Sequence, residues 1–323
     1  MNVKKRMNKK QLKNKIIYIF LLYFLYNSPN IILLKDFNKE NIKICLCTMG
    51  KEENLYAKEF IEYYIKLGFD HLFIYDNNSP NTEKIREVLE NKYINQVTIY
   101  ESLKMNITNQ PQAFTHCYYN NKNNFDWLLM IDMDEFLYIV NNTLKNYLSR
   151  KIFRKCDFIK YYWVLPTDNN LVHYDPRPLF ERFNGPFKKS SIYKTMVKGN
   201  FSNLTYNIHS VKYFLPNKSF CDNEGNYITP EFIPFKDDKD ININKAYLLH
   251  FRFKSTEEFI KKLKRGYNAG FEEQKIVTIS WYFWLNKITL EKINYIEKEL
   301  NISLESFRKR INDRKNITNI KIL

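Results

Sequence analysis

Between residues 42 and 132 the chain alternates short apolar runs with helix-periodic stretches, and this alternation constrains the fold more than any single motif. Ile42 to Thr48 reads as a buried strand closed by Gly50. Tyr56, Phe60, Tyr64 and Leu67 then share one stripe of a helix, and Gly68 ends it. His71 to Tyr75 is a second strand, stopped by the turn formers DNNSPN. TEKIREVLE reads as a short helix, QVTIY as a third strand, Gln110 to Asn121 as a helix and WLLMID as a fourth strand. Such alternation predicts an α/β domain with a mostly parallel, Rossmann-like sheet covered by helices on both faces. Ligands bind such sheets beyond the carboxyl ends of the strands. Asp76 and Asp132 lie at two of those ends.

Beyond Val140 the signals thin. DFIKYYWVL and YLLHFRF read as strands, and the stretch from Pro166 to Pro186 is loop-rich. Ser255 and Glu258 form a capping box that opens a helix. The chain therefore divides into a basic N-terminal segment (1–35), a main domain (42–270) and a helical, basic C-terminal extension (271–323).

The N-terminal segment raises a targeting question. Met1 to Lys15 carries seven Lys or Arg and no acid, and an eleven-residue apolar run from Ile16 to Tyr26 follows. A basic flank before an apolar run reads as a signal anchor, although a spanning helix wants ~20 apolar residues. The alternative is a basic helix that packs on the domain or lies on a membrane surface. Membrane association, single-pass in the secretory pathway of a eukaryote, is one expectation; a cytoplasmic protein is the other.

The formal charge of +16, from 51 basic and 35 acidic residues, asks for an anionic partner. The lysines are spread along the chain without a nucleic-acid-binding module, which argues against nucleic acid. Five cysteines, at 45, 47, 117, 156 and 221, form no CxxC pair and no Cys/His cluster. That spacing predicts core residues rather than a disulfide framework or a zinc site.

The run FDWLLMIDMDEFLYI sets Asp132, Asp134 and Glu135 inside an apolar strand. Burying unpaired carboxylates is costly, and crowding three of them adds repulsion. In extended geometry Asp132 and Asp134 point the same way. Paired carboxylates suit Mg²⁺ or Mn²⁺ with positions left open for phosphate oxygens. An acidic turn at the surface is the plain alternative.

The segment DWLLMIDMDEFL resembles the D-x-D segment of metal-dependent glycosyltransferases of the GT-A fold, and more narrowly that of glycosyltransferase family 92. ENLYAKEFIEYYIKLGFDHLFIYDNNS, PQAFTHCYYNNKNNFDW, IYKTMVK followed by IHS, and LLHFRFKSTEEFIKKLKRG resemble further pieces of that family in the same order, from about Lys43 to Gly266. The resemblance implies a GT-A glycosyltransferase that uses a nucleotide-sugar donor and a glycan or glycoconjugate acceptor. Asp132 and Asp134 would hold Mn²⁺ or Mg²⁺, joined by His209 or His250. Asp76 would contact the base or ribose, while Arg252 and Lys254 would neutralise the diphosphate. The implied reaction is an inverting hexosyl transfer, from a donor that in this family is often galactosyl. Asp175 and Glu181 are the candidates for the base that inversion requires. The helix opened at Ser255 is expected to aim its positive end at the site.

Two other readings compete. An Mg²⁺-dependent phosphotransferase with an aspartate nucleophile wants D-x-D-x-[TV], and Phe136 breaks that pattern. A related domain that binds a nucleotide sugar or a nucleic acid without turnover is the other.

Overall fold

The computed structural model describes residues 42–207, 211–212, 218–228, 241–265 and 272–309. In chain order the elements are β1 (Ile44–Gly50), α1 (Asn54–Leu67), β2 (His71–Asp76), β3 (Val97–Glu101), α2 (Gln110–Asn121), β4 (Trp127–Asp132) and β5 (Glu135–Ile139). They continue with α3 (Leu144–Leu148), β6 (Phe158–Pro166), α4 (Leu179–Arg182), β7 (Phe187–Lys198) and the short strands β8 (Thr205–Tyr206), β9 (Val211–Lys212), β10 (Phe220–Cys221) and β11 (Tyr227–Ile228). The chain closes with β12 (Ala246–His250), α5 (Thr256–Lys264), α6 (Glu272–Leu285) and α7 (Leu290–Leu300).

The main sheet runs β11-β10-β6-β7-β4-β1-β2-β3, with β12 paired to both β5 and β6. The portion β4-β1-β2-β3 is wholly parallel. Antiparallel joins enter at β7, which pairs with β4 and β6, and at β5, which pairs with β12. The expected mixed α/β fold, a largely parallel sheet flanked by helices, is the one observed.

Alternation along β1 explains why both faces are covered. Ile44 and Leu46 enter one hydrophobic cluster with Tyr56, Phe60, Ile61 and Tyr64 of α1. Cys45, Cys47 and Met49 enter another with Ala113, Phe114, Cys117 and Tyr118 of α2. Side chains on a strand alternate between faces, so one helix packs on each. Burying a side chain the size of Phe60 contributes about 1.5–3 kcal/mol. Gly68 caps α1 at φ +107°, a left-handed conformation that glycine adopts without strain.

The C-terminal helices share the α1 cluster through Ile279, Tyr282, Phe283, Ile293 and Ile296. A buried polar knot fixes them there. Asp168, after β6, accepts from the Tyr282 hydroxyl at 2.5 Å and pairs with Lys292 at 2.5 Å. The Tyr282 hydroxyl also meets Thr256 Oγ1 at 2.7 Å, at the start of α5.

Several expectations need correction. Gly50 belongs to β1 rather than closing it, and a Cβ there would press on the Met133 side chain, 2.2 Å from its sulfur. TEKIREVLE contracts to one 3₁₀ turn at Ile85–Val88, opened by the Glu87 side chain on the Lys84 N–H and ended where Leu89 turns extended. YLLHFRF stops as a strand at His250, where the Arg252 N–H turns back to the His250 carbonyl. The capping box at Ser255 and Glu258 forms, but the free N–H groups of Thr256 and Glu257 bond the carbonyls of Leu171 and Val172, not the site. The apolar run from Ile16 to Tyr26 lies outside the described residues, and no described helix is long and apolar enough to cross a membrane.

The cysteine expectation is overturned. Cys47 on β1 bonds Cys117 on α2, and Cys156 before β6 bonds Cys221 on β10. Each pair is distant in sequence, separated by 70 and 65 residues, so local spacing carries no sign of it. In the chain-entropy account each closed loop contributes about 4 kcal/mol. Cys45 stays a buried thiol. Denatured protein from an oxidising expression compartment should therefore alkylate at Cys45 alone, and at all five positions after reduction, as read by mass spectrometry. Five labels without reduction would contradict the pairing.

Candidate active site

The site forms where β4 turns into β5. Asp132 ends β4, Met133 and Asp134 make the turn, and Glu135 begins β5. The two aspartates converge through this turn, not through the pleat of one extended strand as the sequence suggested. Two interactions hold the corner. The Glu135 carboxylate accepts the Asp132 N–H at 3.0 Å, and the Tyr64 hydroxyl donates to the Glu135 carbonyl at 2.9 Å while accepting from the Leu137 N–H. Phe136 is buried against Phe60, Tyr63 and Phe251, which explains the aromatic that follows the acids.

His250 reaches the corner through strand pairing. β12 runs antiparallel to β5 with His250 opposite Glu135. Its Nε2 lies 3.3 Å from Asp134 Oδ1. Asp132, Asp134 and His250 each offer a ligand atom, and these atoms lie within 4.8 Å of one another. The Trp163 ring packs at 4.3 Å from the imidazole and fixes its plane.

Cations answer the acids. Lys194 on β7, 1% exposed, places Nζ 2.9 Å from Asp132 Oδ1 and 3.9 Å from Glu135 Oε1. Lys262 on α5 donates to Asp134 Oδ2 at 2.7 Å, and the Gln110 amide donates to Asp132 Oδ1 at 2.7 Å. Burial works against the charge on Asp134, yet Lys262 and His250 overcome it and hold the carboxyl well below its usual range. Burial likewise opposes the charge on Lys194, and Asp132 with Glu135 outweighs it. Glu135 is pushed well above the carboxylate range by burial, which Lys194 does not offset. Burial pulls the His250 imidazole below its ordinary value despite Asp134.

These groups line a cavity of about 450 Å³. Sheet order divides its wall. Met49, Lys51 and Asn77 lie on the β1–β2 side of β4, beside Thr108, Asn109 and Gln110. Ile192 and Trp163 come from β7 and β6 on the other side, where Trp281 and Arg252 join them. A second cavity of about 430 Å³ adjoins the first, sharing Glu53, Arg252, Lys262 and Arg265.

The structure brings Asp132, Asp134, His250 and Arg252 together in the first cavity. Lys254 lines the second, with Nζ 3.3 Å from Glu53 Oε2 and 4.2 Å above the Tyr56 ring. Glu53 in turn meets Arg265 at 2.6 Å and gives α1 no side-chain cap. Asp76 is buried with its oxygens on the N–H groups of Asn78 and Ile85, the work of a turn-organising aspartate. Asp175 pairs with Arg177 at 2.6 Å, Glu181 is exposed, and neither lines the cavity that holds the aspartates. The start of α4 bonds to α1 instead, where the Glu59 carboxylate accepts the Leu179 N–H. His209 lies outside the described residues.

Sequence reasoning missed Lys194, Lys262, Gln110 and Glu53. Lys194 and Lys262 sit inside IYKTMVK and EEFIKKLKRG, which the resemblance had already marked. In a chain this rich in lysine, nothing local separates them from a solvated face.

A largely parallel α/β sheet with an Asp–Asp–His cluster beyond its strand ends is the arrangement a glycosyltransferase domain would need, and the family match makes the assignment. The sequence model of glycosyltransferase family 92 matches residues 40–301, and the chain belongs to that family. A family 92 protein of Oryza sativa subsp. japonica is 30% identical over 118 residues, covering 35% of this chain and 20% of its own length. One from Ricinus communis is 29% identical over 120 residues, and one from Arabidopsis thaliana 32% over 106, covering 37% and 32% of this chain. The chain thus spans about a fifth of the length of the curated relatives it matches. Among solved structures, S. aureus TarS aligns with a TM-score of 0.25 at 16% identity, covering 43% of this chain and 23% of that one. A likeness of that size adds nothing to the assignment.

The buried imidazole yields a pH prediction. Its folded value lies below the ordinary 6.5, so the folded protein takes up a proton less readily than the unfolded chain. His250 therefore stays neutral at pH 7, and its share of stability is lost as pH falls below 6.5. An NMR titration of the His250 ring should show a midpoint below 6.5; a midpoint at or above it would contradict burial as the controlling cause.

Proposed function

We propose that this chain moves a hexose from a nucleoside diphosphate sugar to a glycan or glycoconjugate acceptor, with a divalent cation held by Asp132, Asp134 and His250. The observation that carries the reading is the convergence of these three ligand groups in a cavity beyond the strand ends. Two carboxylates and one neutral imidazole suit Mn²⁺, which accepts both donor types, better than Mg²⁺. When bound, the cation supplies charge neutralisation for the departing diphosphate.

The remaining roles belong to the chain. Lys194 orients Asp132, and Lys262 orients Asp134 and helps hold its carboxyl below the usual range. Lys51, Arg252, Lys262 and Arg265 line the same cavity, where positive charge stabilises the negative charge that develops as the anomeric C–O bond breaks. The polar β1–β2 side suits the nucleotide. The aromatic side, with Trp163 and Trp281, suits the apolar face of an acceptor sugar. Inversion and a galactosyl donor follow from the family resemblance. Two disulfides fit maturation in an oxidising compartment, in line with a signal anchor at Ile16 to Tyr26.

A panel of nucleotide sugars incubated with the chain and Mn²⁺ tests the reading. At least one should be turned over, and EDTA should stop it. Asp132→Asn and Asp134→Asn should each lower turnover by 100-fold or more in protein that circular dichroism shows to be folded, although less stable than wild type. Undiminished activity in excess EDTA would contradict the proposal.

A further inference from the structure

Behind the metal-ligating edge of His250 lies an arrangement that the proposed reaction does not itself require. The other ring nitrogen, Nδ1, faces Glu135 Oε1 at 3.8 Å, across the β5–β12 pair in which the two residues stand directly opposite. Both atoms are buried, and neither has a hydrogen-bond partner among the described residues. Two buried polar atoms without a hydrogen bond, Oε1 met only by the Lys194 ammonium at 3.9 Å, are costly unless some state of the protein joins them. A shift of under about 1 Å closes the gap to hydrogen-bond distance.

We infer that Glu135 is the positioning residue for His250, an inference that rests on the metal reading above. A neutral imidazole carries one proton. If Nε2 is to offer its lone pair to a cation beside Asp134, the ring proton must sit on Nδ1, where Glu135 Oε1 accepts it once the arriving cation has displaced the buried Glu135 carboxyl's own proton to solvent. A carboxylate behind a ligating histidine fixes the tautomer and the ring angle, and removing it typically weakens metal binding 10–100-fold. Glu135 is itself held for the task. Its other oxygen, Oε2, accepts the Asp132 N–H at 3.0 Å, so the carboxylate bridges one metal ligand's main chain to another's side chain. The third acid of the sequence thus directs two of the three ligands, Asp132 and His250, and does not itself ligate the cation.

The bridge makes Glu135→Gln informative. The Asp132 N–H needs an acceptor, so the amide oxygen takes the Oε2 position. The amide NH₂ then faces His250 Nδ1 and donates to it, forcing the ring proton onto Nε2, where it blocks ligation. Mn²⁺ affinity of the full chain is measured by calorimetry for wild type, E135Q, H250A and the double variant. The expected result is a 10–100-fold loss in E135Q that nearly vanishes when E135Q is introduced into H250A, because Glu135 acts through His250. Should E135Q not fold, Glu135→Asp keeps the charge but withdraws it by one methylene, and the same dependence on His250 is expected. Unchanged Mn²⁺ affinity in the Glu135 variant, or an equal loss in both backgrounds, would overturn the inference while leaving the metal site standing. A wild-type chain that binds no Mn²⁺ would overturn both.

Discussion

Three carboxylates in four residues, at a buried corner, are the constraint around which the rest of this structure is organised. Left alone they would repel one another and resist burial. Instead Lys194 and Lys262 approach from β7 and α5, and His250 from β12. Removing one partner of a buried ion pair costs roughly 3–5 kcal/mol. A cluster of this kind therefore ties the second half of the chain to the first. The same balance holds Asp134 well below its usual range, so it stays ionised for a cation, while burial raises Glu135.

The scaffold delivers these groups by register more than by local conformation. β4 sets Asp132 at the edge of the parallel sheet, and Tyr64 on α1 pins the start of β5. The β5–β12 ladder then places His250 opposite Glu135, 115 residues away, and β7 beside β4 brings Lys194 to Asp132. Arg252 and Lys262 follow from the turn after β12 and from α5. The polar knot of Asp168, Tyr282, Lys292 and Thr256 holds α6, and with it Trp281, against the cavity wall.

What the sequence made legible was local. Alternating periods marked the strands and helices from Ile44 to Asp132, and the acids stood out because they interrupt an apolar run. His250 came from its place in a recognisable segment. What stayed hidden was long-range pairing. Cys47 and Cys117 look like ordinary core residues until α2 packs on β1. Lys194 and Lys262 look like two of many lysines until β7 and α5 come to rest beside the aspartates. Asp175 and Glu181 were attractive because acids near a loop-rich stretch suit a base, but neither lines the cavity that holds the aspartates, and α4 bonds to α1. Asp76 fell in between: it does lie at a strand end, but main-chain N–H groups take up its oxygens.

The central claim is that Asp132, Asp134 and His250 form one cation site. Crystals of the chain grown with Mn²⁺ and a nucleoside diphosphate, measured at the manganese absorption edge, test it most directly. The account predicts an anomalous peak about 2 Å from a carboxylate oxygen of each aspartate and from His250 Nε2. A nucleotide bound in the cavity with no anomalous peak at these three residues would contradict it.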